Sequence, residues 1–243
     1  MLTVACWKWH GWRRKDFYGH EHVNALHRMV QKYLKVPHRF VCFTDNPKGI
    51  ECETQPIWGI HDVGVPEDRA NCFRRLRFWS EEGKKLVGDR VLSLDLDIVI
   101  RGDITHLVHT EEDFKAAWGT VADMNGSIWL YRTGTRQDVW DDLNKHTYDS
   151  LQWHNQQVRH KQGKIPLVGS DQAWLSMKYD HIPTWTKEDG IYHFRPLFMN
   201  NEPLPDNCKI MCFPGKNKPW HVEAANKFPE IYHAYQDAYE GNI

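Results

Sequence analysis

The chain carries almost no net charge: 31 Lys and Arg stand against 32 Asp and Glu over 243 residues. This balance excludes a general electrostatic field for nucleic acid, an anionic membrane or an acidic partner, so any such preference has to be local. Long apolar runs are also missing. None approaches the roughly 18 residues that span a bilayer, and the start, MLTVACWKWHG, lacks the charged beginning and apolar centre of a secretory leader. A soluble, cytoplasmic protein with no membrane span is the expectation. The six cysteines form no CxxC pair. Several sit in apolar contexts such as RFVCFTD, where cysteine behaves as a small buried hydrophobe, so reduced thiols are expected. Internal repeats, low-complexity segments and an obvious linker are absent, which leaves one domain over 1–243, long enough to bury a large core.

Tryptophan, by contrast, is abundant, with 12 residues, three of them clustered as Trp7, Trp9 and Trp12. Any single Trp is first a core residue, but such an excess also suits a protein that stacks sugar rings or bases on aromatic faces. The hydrophobic pattern alternates between strand and helix. Leu2 to Trp7 reads as a buried strand opening into the loop KWHGWRRK, and His20 to Leu34 has helical spacing. RFVCFTDNPKG is a strand closed by a turn, and a helical pattern from about Ala70 to Leu86 leads into VLSLDLDIVI. This order implies a largely parallel sheet covered by helices on both faces. Further on, GSIWLYR reads as a strand, Gln137 to Gln157 as helical, DQAWLSMKY as a short helix, Lys209 to Phe213 as a strand and Ala224 to Tyr239 as a terminal helix.

Two aspartates, Asp95 and Asp97, interrupt the apolar run VLSLDLDIVI. In extended chain their Cα atoms lie about 6.6 Å apart with both side chains on one face, close enough to address one hard cation. Val91 to Leu94 reads as the buried strand and Asp95-Leu96-Asp97 as its exit, at the carboxyl end where open parallel sheets gather ligands. The plainer alternative is a chance Asp-x-Asp with Asp97 capping a turn. CFPGKNKPWH supplies Lys216 and Lys218 beside exposed backbone N–H groups, a cradle for a diphosphate or simply a solvated turn. In NCFRRLRFW, Arg74, Arg75 or Arg77 can offer a planar fork to phosphate or sugar, or line a basic surface. Asp171 and Gln172 open an amphipathic segment, where Ser170 or Asp171 serves equally as an N-cap.

Taken in order, these residues resemble the metal-dependent GT-A glycosyltransferases, specifically the retaining family that includes glycogenin and the bacterial lipopolysaccharide galactosyltransferases. The resemblance rests on Arg75-Leu76, Asp95-Leu96-Asp97, Asn125-Gly126-Ser127, Asp171-Gln172 and Gly215-Lys216-Asn217-Lys218-Pro219-Trp220. It implies a single α/β domain with a Rossmann-like, mainly parallel sheet flanked by helices. A nucleotide-binding half (1–100) would precede an acceptor-side half (101–243). It also implies transfer of a sugar from a nucleotide-sugar donor, usually a UDP-sugar, to a hydroxyl acceptor with retention, assisted by Mn²⁺ or Mg²⁺. Asp97 would hold the metal and Asp95 the metal and the donor. Lys218 would neutralise the diphosphate, Trp7, Arg75, Asn125 and Gly215 would belong to the donor site, and Asp171 and Gln172 would face the reacting sugar. Where the family has a third metal ligand, a histidine, this chain has Cys212, and His221 is the expected substitute. A thiolate is a soft ligand ill-suited to Mn²⁺.

Two other classes stand beside this reading. One is a nucleotide-sugar or glycan binding module without turnover, prompted by Cys212. The other, a nucleotidyltransferase, needs a glycine-rich triphosphate loop that MLTVACWKWHGWRRK does not supply. The acceptor is open among a glycan, a small molecule and a modified DNA base. WRRK and RRLR are candidate phosphate contacts, and LQWHNQQVRH lies where such enzymes build acceptor surfaces.

Overall fold

In the computed structural model, residues 1–9, 18–57, 72–120, 124–146 and 171–243 are described. Among them the first half alternates as expected: β1 (Leu2–Lys8), α1 (His20–Tyr33), β2 (His38–Thr44), β3 (Glu53–Pro56), a 3-10 helix (Cys72–Trp79), α2 (Glu81–Val87) and β4 (Arg90–Leu94). Then come β5 (Ile98–Ile100), β6 (Phe114–Trp118), β7 (Met124–Arg132), α3 (Asp138–Leu143), α4 (Asp171–Lys178), β8 (Thr184–Trp185) and β9 (Ile191–His193). The chain closes with α5 (Phe194–Met199), β10 (Ile210–Cys212), α6 (Val222–Lys227) and α7 (Pro229–Glu240).

Seven strands form one sheet in the order β3-β2-β1-β4-β7-β6-β8. The first four are parallel, and β7 runs antiparallel to both β4 and β6. Alternate residues of these strands point to opposite faces, and each face has its own core. Val4, Cys6, Cys42, Leu92 and Leu94 lie on one, against α1 and α7. Ala5, Trp7, Val41, Phe43, Val91 and Trp129 lie on the other, against the 3-10 helix. Burial on both faces is why these strands are apolar throughout instead of alternating with polar residues.

A second sheet, β5-β10-β9, packs beside the first. VLSLDLDIVI is therefore two strands in two sheets: β4 belongs to the large one, β5 to the small one, and residues 95–97 are the joint between them.

Several expected elements are subdivided. The helical pattern before β4 breaks at Ser80, whose side chain accepts from the Gly83 N–H and starts α2 afresh. Gly83 crosses the 3-10 helix so closely that a Cβ there would lie 2.1 Å from the Arg77 carbonyl oxygen, and only glycine fits. The terminal helix breaks at Phe228 because Pro229 begins a new helix. The expected helix from Gln137 is observed as α3, while its continuation past His146 lies outside the described residues, as do the segments Trp12–Lys15 and Leu151–His160. All six cysteines are free thiols. No helix among the described residues is long and apolar enough to cross a membrane.

Candidate active site

The joint between the two sheets is pinned on both sides. The Asp95 N–H donates to the Ser127 carbonyl at 2.9 Å, and the Phe213 N–H donates to the Asp97 carbonyl at 3.0 Å. One aspartate is thereby tied to β7 and the other to the end of β10. In the large sheet the chain leaves β1 in one direction toward β2 and β3, while β4 lies on β1's other side. The carboxyl ends of β1 and β4 thus flank the topological switch point, where open α/β sheets hold ligands. Asp95 directly follows β4 at that point.

Arg75, carried by the 3-10 helix, organises the Asp95 side. One guanidinium nitrogen donates to Asp95 Oδ1 at 2.6 Å and to the Gly126 carbonyl at 3.0 Å, and the other lies 2.7 Å from Asp171 Oδ2. A buried planar fork is suited to holding two carboxylates at once. The neighbouring arginines face elsewhere: Arg74 lies over the Trp9 ring, and Arg77 pairs with Glu82.

Asn125-Gly126-Ser127 contributes mainly backbone. The pairing of β6 with β7 shifts register between Ala116, opposite Trp129, and Ala117, opposite Asn125. This bulge frees backbone groups of residues 126 and 127 from β6. The Gly126 carbonyl meets Arg75, its N–H donates to Gln172 Oε1 at 3.0 Å, and the Ser127 carbonyl meets Asp95. A Cβ at Gly126 would lie 2.9 Å from Gln172 Cγ and 3.0 Å from Arg75 Nη2, so glycine is needed for this approach. Asn125 is a turn-former, its Oδ1 accepting from the Ser127 N–H at 2.8 Å. Asp171 opens α4, nearly fully buried, and accepts from the Gln172 N–H at 3.0 Å.

On the Asp97 side, Asp97 Oδ2 accepts from Lys218 Nζ and from the Tyr18 hydroxyl, the latter at 3.0 Å. Lys218 is buried and also donates to the Phe213 carbonyl at 3.2 Å. Gly215 turns the loop that carries it, with φ at +92°, a conformation that favours glycine. The site therefore gathers Asp95, Asp97, Asp171, Gln172, Arg75 and Lys218 from both halves of the sequence. Sequence reasoning missed Tyr18, for which a lone tyrosine in a polar loop offers no signal.

Trp7 is a core residue: its ring lies between Phe43 and Phe78 at centroid distances of 4.8 and 4.9 Å, and its N–H donates to Ser93 Oγ at 3.2 Å. Much of the tryptophan excess is likewise spent on the core, with Trp79, Trp129, Trp174 and Trp185 all buried. His221 is the N-cap residue of α6, and among the described residues no three His, Cys, Asp or Glu side chains are grouped as metal ligands. Cys212 lies opposite Ile98 in β5. Its thiol is pushed well up by burial and then by the Asp97 and Asp95 carboxylates, which keeps it neutral and a poor ligand.

Electrostatics nonetheless suit a hard cation. Burial, with the neighbouring Asp97 and Asp171 carboxylates, pushes Asp95 up to about 6 against the opposing pull of Arg75. Burial also raises Asp171. Three carboxylates face two cations, Arg75 and Lys218, among the described residues. The Asp95 side chain keeps 33% exposure and the Asp97 side chain 10%, so oxygen donors remain reachable from outside. Hard oxygen ligands and a surplus of negative charge fit Mg²⁺ or Mn²⁺.

No protein-family model matches the chain, and no curated protein matches its sequence. Solved structures do match. The galactosyltransferase LgtC, solved in complex with donor and acceptor sugar analogs, aligns over 98% of this chain and 95% of its own at 14% identity, with a TM-score of 0.60. The glycosyltransferase GlyE of Streptococcus pneumoniae TIGR4 aligns over 100% of this chain and 65% of its own, also at 14% identity, with a TM-score of 0.58. At such identity the likeness is one of fold, which the chain shares with these two glycosyltransferases.

Proposed function

We propose that the chain is a metal-dependent glycosyltransferase that moves a sugar from a nucleotide-sugar, most naturally a UDP-sugar, to a hydroxyl acceptor with retention. The observation that carries this is the paired-carboxylate turn at the carboxyl end of β4, with Arg75 on one flank and Lys218 on the other, beside the β1/β4 switch point. The fold it shares with two glycosyltransferases supports the same reading. Residues 1–100 supply the donor-binding half and 101–243 the acceptor side. Free cysteines fit a reducing, cytoplasmic location.

In this reading Asp95 and Asp97 hold Mn²⁺ or Mg²⁺, which supplies Lewis-acid stabilisation of the departing diphosphate. Arg75 fixes Asp95 and Asp171 in place before the donor arrives, so no reorganisation is needed at the moment of reaction. Lys218 neutralises diphosphate oxygens, and Gly215 gives its loop the bend that brings the ammonium inward. Asp171 and Gln172 face the donor sugar, with Gln172 positioned by the Gly126 N–H. The acceptor is a glycan, a small molecule or, less naturally given the balanced net charge, a modified DNA base.

Incubation with Mn²⁺ and a panel of nucleotide-sugars should release a nucleoside diphosphate, slowly even without acceptor, and Asp97→Asn should abolish the release. Absence of both release and binding across the panel would sink the reading. The neutral thiol of Cys212 in place of the family's histidine favours one alternative, a nucleotide-sugar binding module. Tight donor binding by calorimetry with no hydrolysis or transfer would select it.

A further inference from the structure

Asp97 Oδ2 is already saturated. It accepts from both Lys218 Nζ and the Tyr18 hydroxyl, and a carboxylate oxygen has two lone-pair directions to offer. Lys218 is 3% exposed and also donates to the Phe213 carbonyl, and its ammonium lies 5.8 Å from the centroid of the Tyr18 ring. A cation approaching this oxygen therefore meets an occupied acceptor and a buried positive charge at contact distance, where like charges repel strongly. Lysine is a point charge on a flexible four-carbon stem, and it can leave Asp97 if a better partner is in reach. A diphosphate is such a partner.

We infer that Lys218 is a displaceable internal counter-ion of Asp97. Without ligand it occupies Oδ2 of the carboxylate that a divalent cation requires. When cation and diphosphate arrive together, the ammonium passes from Asp97 to the phosphate oxygens and the cation takes Asp97. The two ligands then favour each other's binding beyond their direct contact, and by linkage the effect is reciprocal. The device keeps the site from filling with a bare cation and ties cation uptake to the presence of donor. Tyr18 remains on Oδ2 as a positioning residue that orients the carboxylate. This inference rests on the proposed nucleotide-sugar reading for the identity of the diphosphate.

The test uses Mn²⁺ alone, titrated into the full chain without nucleotide and followed by the electron paramagnetic resonance signal of free Mn²⁺. Lys218→Met should bind bare Mn²⁺ at least about tenfold more tightly than the wild type, because an occupied acceptor and a repelling charge are both removed. The same variant should bind nucleoside diphosphate in the presence of Mn²⁺ about tenfold more weakly. Lys218→Arg, whose fork grips a carboxylate more firmly, should bind bare Mn²⁺ more weakly than wild type. It serves as the deciding variant if Lys218→Met does not fold. Unchanged or weaker Mn²⁺ binding by Lys218→Met, or unchanged or tighter binding by Lys218→Arg, would overturn the inference and leave Lys218 as a phosphate contact alone. Should the wild type bind Mn²⁺ but no nucleotide or nucleotide-sugar, the proposed function fails, yet the order Met, Lys, Arg for bare Mn²⁺ still decides the counter-ion role.

Discussion

The large sheet and the small sheet each contribute one carboxylate to the site, and they hold it differently. Asp95 belongs to the large-sheet side. Its partner Arg75 is rigidly forked between two carboxylates and a carbonyl, its backbone is tied to β7, and its side chain is a third exposed. Asp97 belongs to the small-sheet side, where its partner is a flexible lysine from a late loop, joined by a tyrosine from the loop before α1. One side is a fixed scaffold whose charges are crowded, and the other is a single ion pair that can exchange partners. The difference separates a group that shapes the site from one that responds to its contents.

The comparison breaks most visibly at Arg75. Arg75→Met would leave Asp95 and Asp171 without their shared cation and should lower folding stability by about 3–5 kcal/mol, read by urea denaturation. A loss below about 1 kcal/mol would mean that the fork is not what holds the crowded side together. The two aspartates themselves should then diverge. Asp97→Asn strands the Lys218 ammonium in a buried position and should cost about 2–3 kcal/mol. Asp95→Asn removes a carboxylate that is already pushed up to about 6 by burial and its acidic neighbours, so its melting temperature should match or exceed the wild type. Both variants should lose Mn²⁺-dependent nucleotide binding. Equal destabilisation by the two would erase the distinction between scaffold and exchangeable pair.

The sequence made the chemistry of this site more legible than its supports. Asp95-Leu96-Asp97 stands out because carboxylates in an apolar run need a reason, and GKNKPW stands out because it places lysines at the end of a strand. The parallel order of the first strands followed from their continuous apolar character. What stayed hidden depends on long-range placement. Val91–Leu94 and Ile98–Ile100 are equally apolar, and nothing in them says that they enter different sheets. Residue types alone left Arg74, Arg75 and Arg77 equal, and the resemblance singled out Arg75; the direction in which a 3-10 helix presents each residue, whose period is close to that of an α-helix, could not be read from eight residues. Trp7 could not be told from a stacking platform because core and ligand faces use the same residue types.

A smaller effect tests the positioning of the reacting end. Gln172→Ala removes the acceptor for the Gly126 N–H and should cost about 1 kcal/mol. If Gln172 faces the donor sugar, the rate of transfer should fall much further than so small a loss explains. A rate that merely tracks stability would make Gln172 a support for the Gly126 turn.

The smallest expected effect distinguishes the two sides by their response to acid. On the small-sheet side, His193 stands opposite Cys212 in the ladder, 1% exposed, with its Nε2–H donating to the Trp118 carbonyl at 2.8 Å. Burial holds its pKa below the ordinary value, and the same cause lowers His22, whose Nδ1 accepts from the Gly19 N–H. Above about pH 6.5 both folded and unfolded chains carry these imidazoles neutral, so their contribution is complete. As pH falls below that value the unfolded chain takes up protons that the folded one refuses, and stability is lost. For His193 the loss at pH 6 is at most about 0.8 kcal/mol. Asp95 on the large-sheet side acts in the opposite sense. Its folded pKa is raised, so the folded chain binds the extra proton as pH falls through about 6 toward the ordinary carboxylate range, and stability is regained there. Melting curves from pH 7.5 downward should therefore fall first and then flatten near pH 6. His193→Gln, which keeps a donor for Trp118 but does not titrate, should reduce the initial fall, and Asp95→Asn should remove the flattening. A melting temperature that rises from pH 7.5 to 6 would show that the buried histidines do not govern this range, and the two sides would then share one acid response.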